Sequence, residues 1–270
     1  MTFAPAFTCL IPVWEGDDPA QFAEAIESLS ASTLRPDATI ICQDGALPAS
    51  LTDRVAIART RLNARVVVNP GPRGLSHNLN HALAEVETPY AARLDADDIN
   101  LPQRFALQSA FAATHPEIAA FGGAIAEFDP SGRSRVKVLP TEHAAMLRFA
   151  RWRNPINHMT AFFRVQAVRD AGGYPHIQGK EDYGLWLTLL ARGEGLGNLA
   201  EVLVRARLGA NFHKRRAGLG NLATEWALYD LKRRSALLRG PSAAAALALR
   251  GGALAFPGAA RWIYDGILRR

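Results

Sequence analysis

The most informative stretch of the sequence is YAARLDADD, from Tyr90 to Asp98, in which an apolar run passes directly into an acidic one. The apolar part, Tyr90 to Leu94, is typical of a β-strand that ends at Asp95. Alternate carboxylates at a strand end can turn toward one point, and a hard divalent cation prefers such oxygen ligands. The competing interpretation is an acidic turn in which Asp98 caps the next helix. Taken alone, the motif favours this turn.

Apolar runs typical of buried strands also occur nearer the N-terminus, at residues 7–13, 38–43 and 64–69. The first run is expected to stop at Pro12, which cannot donate to a sheet. Asp18 before Pro19 predicts a helix start, and Ser76 is expected to cap a second helix. This alternation predicts an α/β fold with an open, doubly wound and mostly parallel sheet.

Acidic residues follow these runs at corresponding places: Glu15 after the first, Asp44 after the second, and Asp95 after the run at Tyr90. In doubly wound sheets, ligands gather at the carboxyl ends of the strands. We therefore expect the three carboxylates to converge on one crevice.

The second half of the chain has a less regular pattern. Predicted helices cover residues 101–114, 181–192 and 219–238, and predicted strands cover residues 118–128, 159–163 and 201–207. The pair Gly122-Gly123 is expected to break the strand in which it lies. Since nothing marks a flexible linker, the two halves are expected to be closely fused.

Three other stretches could carry chemistry, and each also has a plain structural explanation. Asp44-Gly45 could meet a base or ribose, although Asp-Gly is a common turn pair. Residues 69–80 form a glycine-rich loop with Arg73 before a helix N-terminus, where an anion can bind, although a capped helix explains it as well. Glu181 and Asp182 open a helix, where a carboxylate could act as general base or only favour the helix start.

Two histidines lie near these stretches and receive different interpretations. His158, within RNPINHMTAFF, favours a buried core or capping role over contact with a metal or substrate. His213, within NFHKRR, is the better candidate, because the surrounding cations suit contact with a metal or diphosphate.

The chain has 270 residues, a formal net charge of +6 and a pI of about 9.7, which suits an anionic partner. No nucleic-acid-binding motif accompanies the basic residues, many of which cluster at 205–239. Cys9 and Cys42 are typical of small buried hydrophobes. No signal peptide or transmembrane segment is expected. The Ala/Leu-rich stretch 243–256 is expected to pack on the protein or lie on a membrane surface.

Taken in order, these elements resemble glycosyltransferase family 2 with its GT-A fold, and within it the bacterial polysaccharide-biosynthesis branch of the amylovoran type. The resemblance covers about residues 7–216. Many short motifs in the same order argue against a chance match. The matching segments are FTCLIPVWEGD, QDG, NPGPRGLSHNLNHAL, RLDADD, LPQRFALQ, RNPINHMTAFF, AGGY and EDYGLWLTLLARG.

The resemblance implies a role for each matching position. The residues implied to line the nucleotide base and ribose are Pro12, Val13, Trp14 and Glu15, with Asp44 on the base and Arg73 and Asn78 nearby. Those implied to meet the ribose, phosphates or metal are Asp95 and Ala96, the metal ligands Asp97 and His213, and Arg215 and Arg216 over the diphosphate. Asp182 would be the catalytic base, with Glu181 as its neighbour.

The implied activity is the inverting, metal-dependent transfer of a sugar from a UDP- or dTDP-sugar to a saccharide or lipid-linked glycan in surface polysaccharide synthesis. The divalent metal would be Mn²⁺ or Mg²⁺. The GT-A domain would span residues 1–240, with a nucleotide-sugar half at about 1–130 and an acceptor half at 131–240, before an apolar and basic tail at 241–270. We expect a cytoplasmic protein with peripheral contact to an anionic membrane at its inner face, and no nucleic-acid partner.

Two other function classes stay open at this point. A nucleotide-binding module without catalysis would bind nucleotide and not turn it over, although the set Asp95, Asp97 and Asp182 argues against it. A sugar nucleotidyltransferase would call for a glycine-rich basic loop after the first strand, where this chain has the acidic stretch VWEGDD. Dinucleotide binding is disfavoured, because no G-x-G-x-x-G follows that strand.

Overall fold

The computed structural model describes residues 4–208, 222–234 and 237. Its strands are β1 (Phe7–Trp14), β2 (Ala38–Asp44), β3 (Arg65–Asn69), β4 (Tyr90–Arg93), β5 (Ile99–Asn100), β6 (Ile118–Phe128), β7 (Ser134–Lys137), β8 (Phe162–Arg164) and β9 (Gly195–Arg207). Its helices are α1 (Pro19–Ser30), α2 (Ala49–Leu62), α3 (Leu75–Ala84), α4 (Arg104–Thr114), α5 (His143–Ala150), α6 (Val165–Asp170), α7 (Glu181–Ala191) and α8 (Leu222–Arg234). A 3-10 turn covers His158–Thr160.

The described strands form one sheet in the order β3-β2-β1-β4-β8-β6-β9-β5, with β7 paired to β6. The first four strands in this order are parallel. Strand β8 lies antiparallel between β4 and β6, while β6 and β9 run parallel over a long register. The sheet therefore joins a parallel first half to a mixed second half, and the predicted α/β class is confirmed.

Helices cover both faces of this sheet, because successive side chains of a strand point to opposite faces. On β1, Leu10 belongs to one apolar layer, which it shares with α3 and α7. Cys9 and Ile11 belong to the other layer, which they share with α1, α2 and α4. This arrangement confirms the doubly wound prediction, and Cys9 and Cys42 are buried free thiols as expected.

Strand β1 continues through Pro12 to Trp14, so the prediction that it stops at Pro12 is wrong. The pairing of β1 with β4 ends at Leu10, opposite Arg93, whereas the pairing with β2 continues to Trp14. At Pro12 the strand thus has a neighbour on one side only, and a missing N–H is tolerated there.

Two further predictions, a helix cap and a break in a strand, are also wrong. Ser76 does not cap α3, which starts at Leu75 after Gly74, a residue with φ of 86° and no capping side chain. The pair Gly122-Gly123 does not break β6 but lies inside it. A Cβ on Gly122 would come within 2.6 Å of Thr160 Oγ1, so this glycine allows the sheet and the 3-10 turn to approach closely.

Three further segments differ from what the sequence predicted: α2, the start of β9 and residues 159–163. Helix α2 buries only Leu51, Val55 and Ala58, a stripe too narrow to stand out in a polar segment. Strand β9 begins at Gly195, before its predicted start at residue 201. The earlier part was missed because glycine and asparagine are uncommon in strands. The predicted strand at residues 159–163 is in part the 3-10 turn. Within the described ranges, no helix is long and apolar enough to cross a membrane.

Candidate active site

The acidic loop after β4 brings three carboxylates together. Oxygen atoms of Asp95, Asp97 and Asp98 all lie within 4.8 Å of one another. Asp95 forms an ion pair with the buried Arg93. The Oδ1 of Asp98 accepts the backbone N–H of Arg207 at 2.8 Å, so Asp98 is not the helix cap that the alternative interpretation required. Helix α4 starts later, after Gln103.

These three side chains fit a divalent cation. Burial, followed by the charge of Asp95, raises the pKa of Asp97 above its ordinary value. The same two causes, with Asp97 added, raise the pKa of Asp98 well above its ordinary value. Asp98 Oδ2 is buried and has no hydrogen-bond partner among the described residues. A hard cation would offset this crowded negative charge and satisfy the unpartnered oxygen.

The loop after β1 adds a fourth acid that sequence reasoning missed, Asp17. Its carboxylate accepts the backbone N–H of Trp14 at 2.9 Å. Burial, opposed in part by that hydrogen bond and reinforced by the charges of Asp97 and Asp95, raises its pKa to about 6. Glu15, which was favoured instead, is exposed. The repeated acids of the segment EGDD were the only sequence signal, and they do not distinguish which acid turns inward.

The four positions expected to line the base and ribose, residues 12–15, differ in whether their side chains are accessible to a ligand. The side chains of Pro12 and Val13 are buried in β1, so only their backbone could meet a ligand. Trp14 is 49% exposed at the end of that strand, with its ring against Gly16. An exposed indole beside the acidic loop is a surface on which a nucleobase can stack.

Asp44 anchors the glycine-rich loop instead of standing free. Its two oxygens accept the backbone N–H groups of Arg73 at 3.0 Å and Gly74 at 2.9 Å, while the Arg73 side chain is exposed. Asn78 is buried, donating to Cys42 O at 2.6 Å and accepting from Asn69 at 2.9 Å. The side chain of Arg73 is thus open to solvent, whereas that of Asn78 is enclosed by β2 and β3.

The second acidic group stands at the start of α7. Asp182 accepts the backbone N–H of Tyr183 at 2.7 Å and the amide of Asn154 at 2.5 Å, and its side chain is 14% exposed. Burial is the main cause that raises the pKa of Asp182. Burial and then the charge of Asp182 raise the pKa of Glu181 to about 7. Ligand atoms of His158, Glu181 and Asp182 lie within 4.8 Å of one another.

Arg93 connects the two acidic groups. Burial by itself lowers the pKa of Arg93, but the charges of Asp95, Tyr174, Glu181 and Asp182 raise it above its ordinary value. The guanidinium of Arg104 in turn donates to Arg93 O at 2.6 Å. The acidic loop and the start of α7 therefore lie close enough for the charges of both groups to act on the same buried cation.

The remaining implied positions are only partly described. Ala96 is buried within the acidic loop, so its backbone alone could meet a ligand. His213, Arg215 and Arg216 lie outside the described residues. Arg207 is a cation that sequence reasoning missed: its Nε donates to Asp97 O at 3.1 Å, and its Nη2 is 2.5 Å from a Glu24 oxygen.

Comparisons with known proteins show which family the chain resembles. The family model described as Glycosyl transferase family 2 matches residues 8–172. The chain is 37% identical over 227 residues to the amylovoran biosynthesis glycosyltransferase AmsE of Erwinia amylovora, covering 84% of this chain and 85% of the relative. It is 30% identical to the UDP-Gal:alpha-D-GlcNAc-diphosphoundecaprenol beta-1,3-galactosyltransferase of Escherichia coli, covering 80% of this chain and 78% of that one.

Among solved structures, the fold resembles the mannosyltransferase PcManGT from Pyrobaculum calidifontis, solved in complex with GDP-Man and Mn²⁺. The TM-score is 0.62 at 18% identity, covering 99% of this chain and 81% of that chain. At this identity the likeness supports the fold alone.

Proposed function

The chain belongs to glycosyltransferase family 2 and is a glycosyltransferase, and from this premise we propose that it transfers a sugar from a nucleotide-diphosphate sugar to an acceptor hydroxyl with inversion at the anomeric carbon. One observation carries the proposal. The buried Arg93 forms an ion pair with Asp95 of the acidic loop, and the charge of Asp182 at the start of α7 also acts on it. One crevice therefore offers a place for a diphosphate and a base for an acceptor.

Asp182 is the proposed base of a single displacement. It takes the proton from the acceptor hydroxyl while that oxygen attacks the anomeric carbon from the face opposite the nucleotide. The bond from this carbon to the diphosphate oxygen breaks, and the electron pair leaves with the nucleotide. The hydrogen bonds from Asn154 and the Tyr183 N–H orient the carboxylate for this transfer. Glu181, the neighbouring acid, adds negative charge beside Asp182 when it is ionised.

The acidic loop is the proposed place for the donor. A divalent cation, Mn²⁺ or Mg²⁺, held by Asp97 with Asp95 and Asp98 would offset the charge of the departing diphosphate. Trp14 would stack on the base, while Arg73 would lie near the phosphates. A UDP- or dTDP-sugar is the donor class that we propose. The Escherichia coli relative named for UDP-Gal supports it.

A saccharide or lipid-linked glycan is the proposed acceptor, in the synthesis of a surface polysaccharide. Two relatives support it, one named for amylovoran biosynthesis and one for a diphosphoundecaprenol acceptor. With such an acceptor, the protein would work in the cytoplasm at the inner face of the membrane. The basic residues at 205–239 and the apolar and basic tail at 241–270, which lie largely outside the described residues, would contribute to that contact.

Basic residues of two described segments, 133–137 and 148–153, would contribute to contact with an anionic membrane, and we call them the basic surface. The amide of Asn198 donates to Pro140 O at 2.8 Å and to Pro155 O at 2.9 Å, so the prolines that follow these two segments lie close together. Trp152, which is 39% exposed, lies on this surface. Its basic residues are Arg133, Arg135, Lys137, Arg148, Arg151 and Arg153.

Calorimetric titration with UDP, dTDP and GDP, each with and without Mn²⁺, tests the donor site. We expect one nucleotide to bind in a metal-dependent way to the wild type and at least about tenfold more weakly to Asp97→Ala. Asp53→Ala, which removes an exposed acid on α2, is the matched control and should bind like the wild type. Absence of nucleotide binding under every condition would contradict the proposal. Inversion is checked separately, from the anomeric configuration of the product by NMR.

A further inference from the structure

His158 lies directly behind the proposed base, although its sequence context favours a plain core histidine. Its Nδ1 is 3.9 Å from Asp182 Oδ2, and its Nε2 is 3.3 Å from the hydroxyl of Tyr174. The side chain is 8% exposed. The imidazole thus stands between a buried phenol and the carboxylate.

Aromatic contacts on two sides hold this ring in place. Tyr174 lies 5.4 Å from it, and Trp186 meets it edge-on at 6.2 Å. Trp186 follows Asp182 by four residues on α7, so both side chains lie on the same face of that helix. The helix that carries the base therefore also carries part of the ring's packing.

The charge of Asp182 favours one arrangement of protons in this row, because an Nε2–H donated to the Tyr174 oxygen would turn the lone pair of Nδ1 toward the ionised carboxylate. Burial, together with the charge of Arg93, holds the pKa of His158 well below its ordinary value, so the ring is neutral with one donor and one acceptor nitrogen. Burial raises the pKa of Tyr174, whose hydroxyl stays protonated and can donate. A Tyr174 O–H directed at Nε2 leaves the Nδ1–H directed at Asp182.

We propose that His158 is a positioning residue for the base: the Tyr174 hydroxyl selects the tautomer whose Nδ1–H faces Asp182 and favours the ionised carboxylate. The proposal rests on the proposed function. The proton that leaves the acceptor hydroxyl stays on Asp182 and passes to solvent after product release, because a neutral Nδ1–H has no free electron pair to receive it.

Other charges also act on Asp182, which limits the size of the effect. Arg93 from β4 and Lys180, just before α7, both favour its ionised form. Glu181 lies within the same cluster as His158 and Asp182 and adds negative charge. Loss of the His158 N–H should thus weaken the base and not abolish it.

The test is hydrolysis of UDP-galactose, with water as acceptor, followed by UDP release in Mn²⁺ across the pH range. For His158→Leu we expect kcat to fall about 10-fold or more, with UDP affinity unchanged. The acid limb of the pH profile should move upward by roughly half a unit or more, because the carboxylate loses the N–H dipole that faces its charged form at 3.9 Å. His158→Asn, which can restore an N–H, should recover part of the loss.

Tyr174→Phe gives a second route to the same answer, because it removes only the hydroxyl that selects the tautomer. It should lower kcat about threefold or more and shift the acid limb in the same direction. His81→Leu, at an exposed histidine on α3, is the control and should match the wild type. If His158→Leu does not fold, an unshifted acid limb in Tyr174→Phe would overturn the inference.

Asp182→Asn separates this inference from the proposed function. If Asp182→Asn is inactive while His158→Leu keeps the wild-type kcat and acid limb, the role of His158 is overturned and the proposed function is not. An Asp182→Asn variant as active as the wild type would overturn the base assignment and with it this inference.

Discussion

At the scale of single residues, Glu181 shows how burial and charge oppose each other in this site. It opens α7, where the helix dipole favours a negative charge. Burial and the neighbouring Asp182 outweigh that effect and raise its pKa to about 7. A site that gathers several acids to bind a cationic partner stores unfavourable energy when the partner is absent.

Replacement of Glu181 by Gln should stabilise the metal-free protein at high pH. Because the folded protein binds this proton more tightly than the unfolded chain, stability is lost as pH rises from 4.5 to about 7, and the cost stays constant above that. Glu181→Gln should therefore raise the free energy of unfolding by about 1–3 kcal/mol at pH 8, and the gain should vanish near pH 4.5. Urea denaturation in EDTA at a series of pH values measures it.

The exposed Glu117 supplies the control for this experiment. Glu117→Gln should leave the pH dependence of stability as it is in the wild type. A stabilisation by Glu181→Gln that is the same at every pH would mean that the charge of Glu181 is not its cause.

At the scale of elements, the close contact between β6 and the 3-10 turn sets the position of His158. Gly122 faces Thr160 of that turn and Ile156 just before it. Thr160 Oγ1 also accepts the backbone N–H of Gly123 at 3.0 Å. Strand β6 thus holds the turn that carries His158 toward α7.

A methyl group at Gly122 should therefore force β6 and the 3-10 turn apart and destabilise the fold. Gly122→Ala places a Cβ within 2.6 Å of Thr160 Oγ1 and 2.8 Å of Ile156 Cγ2. We expect a loss of about 1–3 kcal/mol in the free energy of unfolding, because neither group lies at the end of a long flexible chain. Gly71→Ala, which meets nothing within 4 Å, is the control and should be near neutral. Equal thermal midpoints for the two variants would contradict this account.

At the scale of the whole molecule, the order of the sheet explains how the two halves make one site. Strand β8 from the second half pairs directly with β4, which leads into the acidic loop. The 3-10 turn immediately precedes β8, and Arg93 N donates to Ala161 O at 2.9 Å between them. The groups that we propose for the donor and for the acceptor thus lie on segments joined by a single pair of neighbouring strands.

The basic surface should bind anionic vesicles. Reversal of two charges, in Arg148→Glu with Arg151→Glu, should weaken binding to vesicles that contain an anionic lipid by about tenfold or more, since each cation near such a surface contributes about 1 kcal/mol. Arg54→Glu with Arg59→Glu makes the same change in charge on α2 and is the control. Vesicle sedimentation measures both. An equal loss in the two double variants would indicate a net-charge effect and contradict a defined membrane face.

The sequence by itself determined the parallel half of the sheet, the acidic loop and the acidic start of α7. These features depend on neighbours in the chain: an apolar run forms a buried strand, and acids at its end lie at the carboxyl edge. The roles assigned to Asp97 and Asp182 stay predictions until the binding and turnover experiments test them.

Only the tertiary structure decided which side chains share the site. Asp17 in place of Glu15, the inward position of Asn78 and the approach of His158 to Asp182 all depend on packing between distant segments. Arg207 reaches Asp98 across 109 residues of chain. No local pattern encodes such contacts, because the energy that selects them comes from burial and charge summed over both halves of the fold.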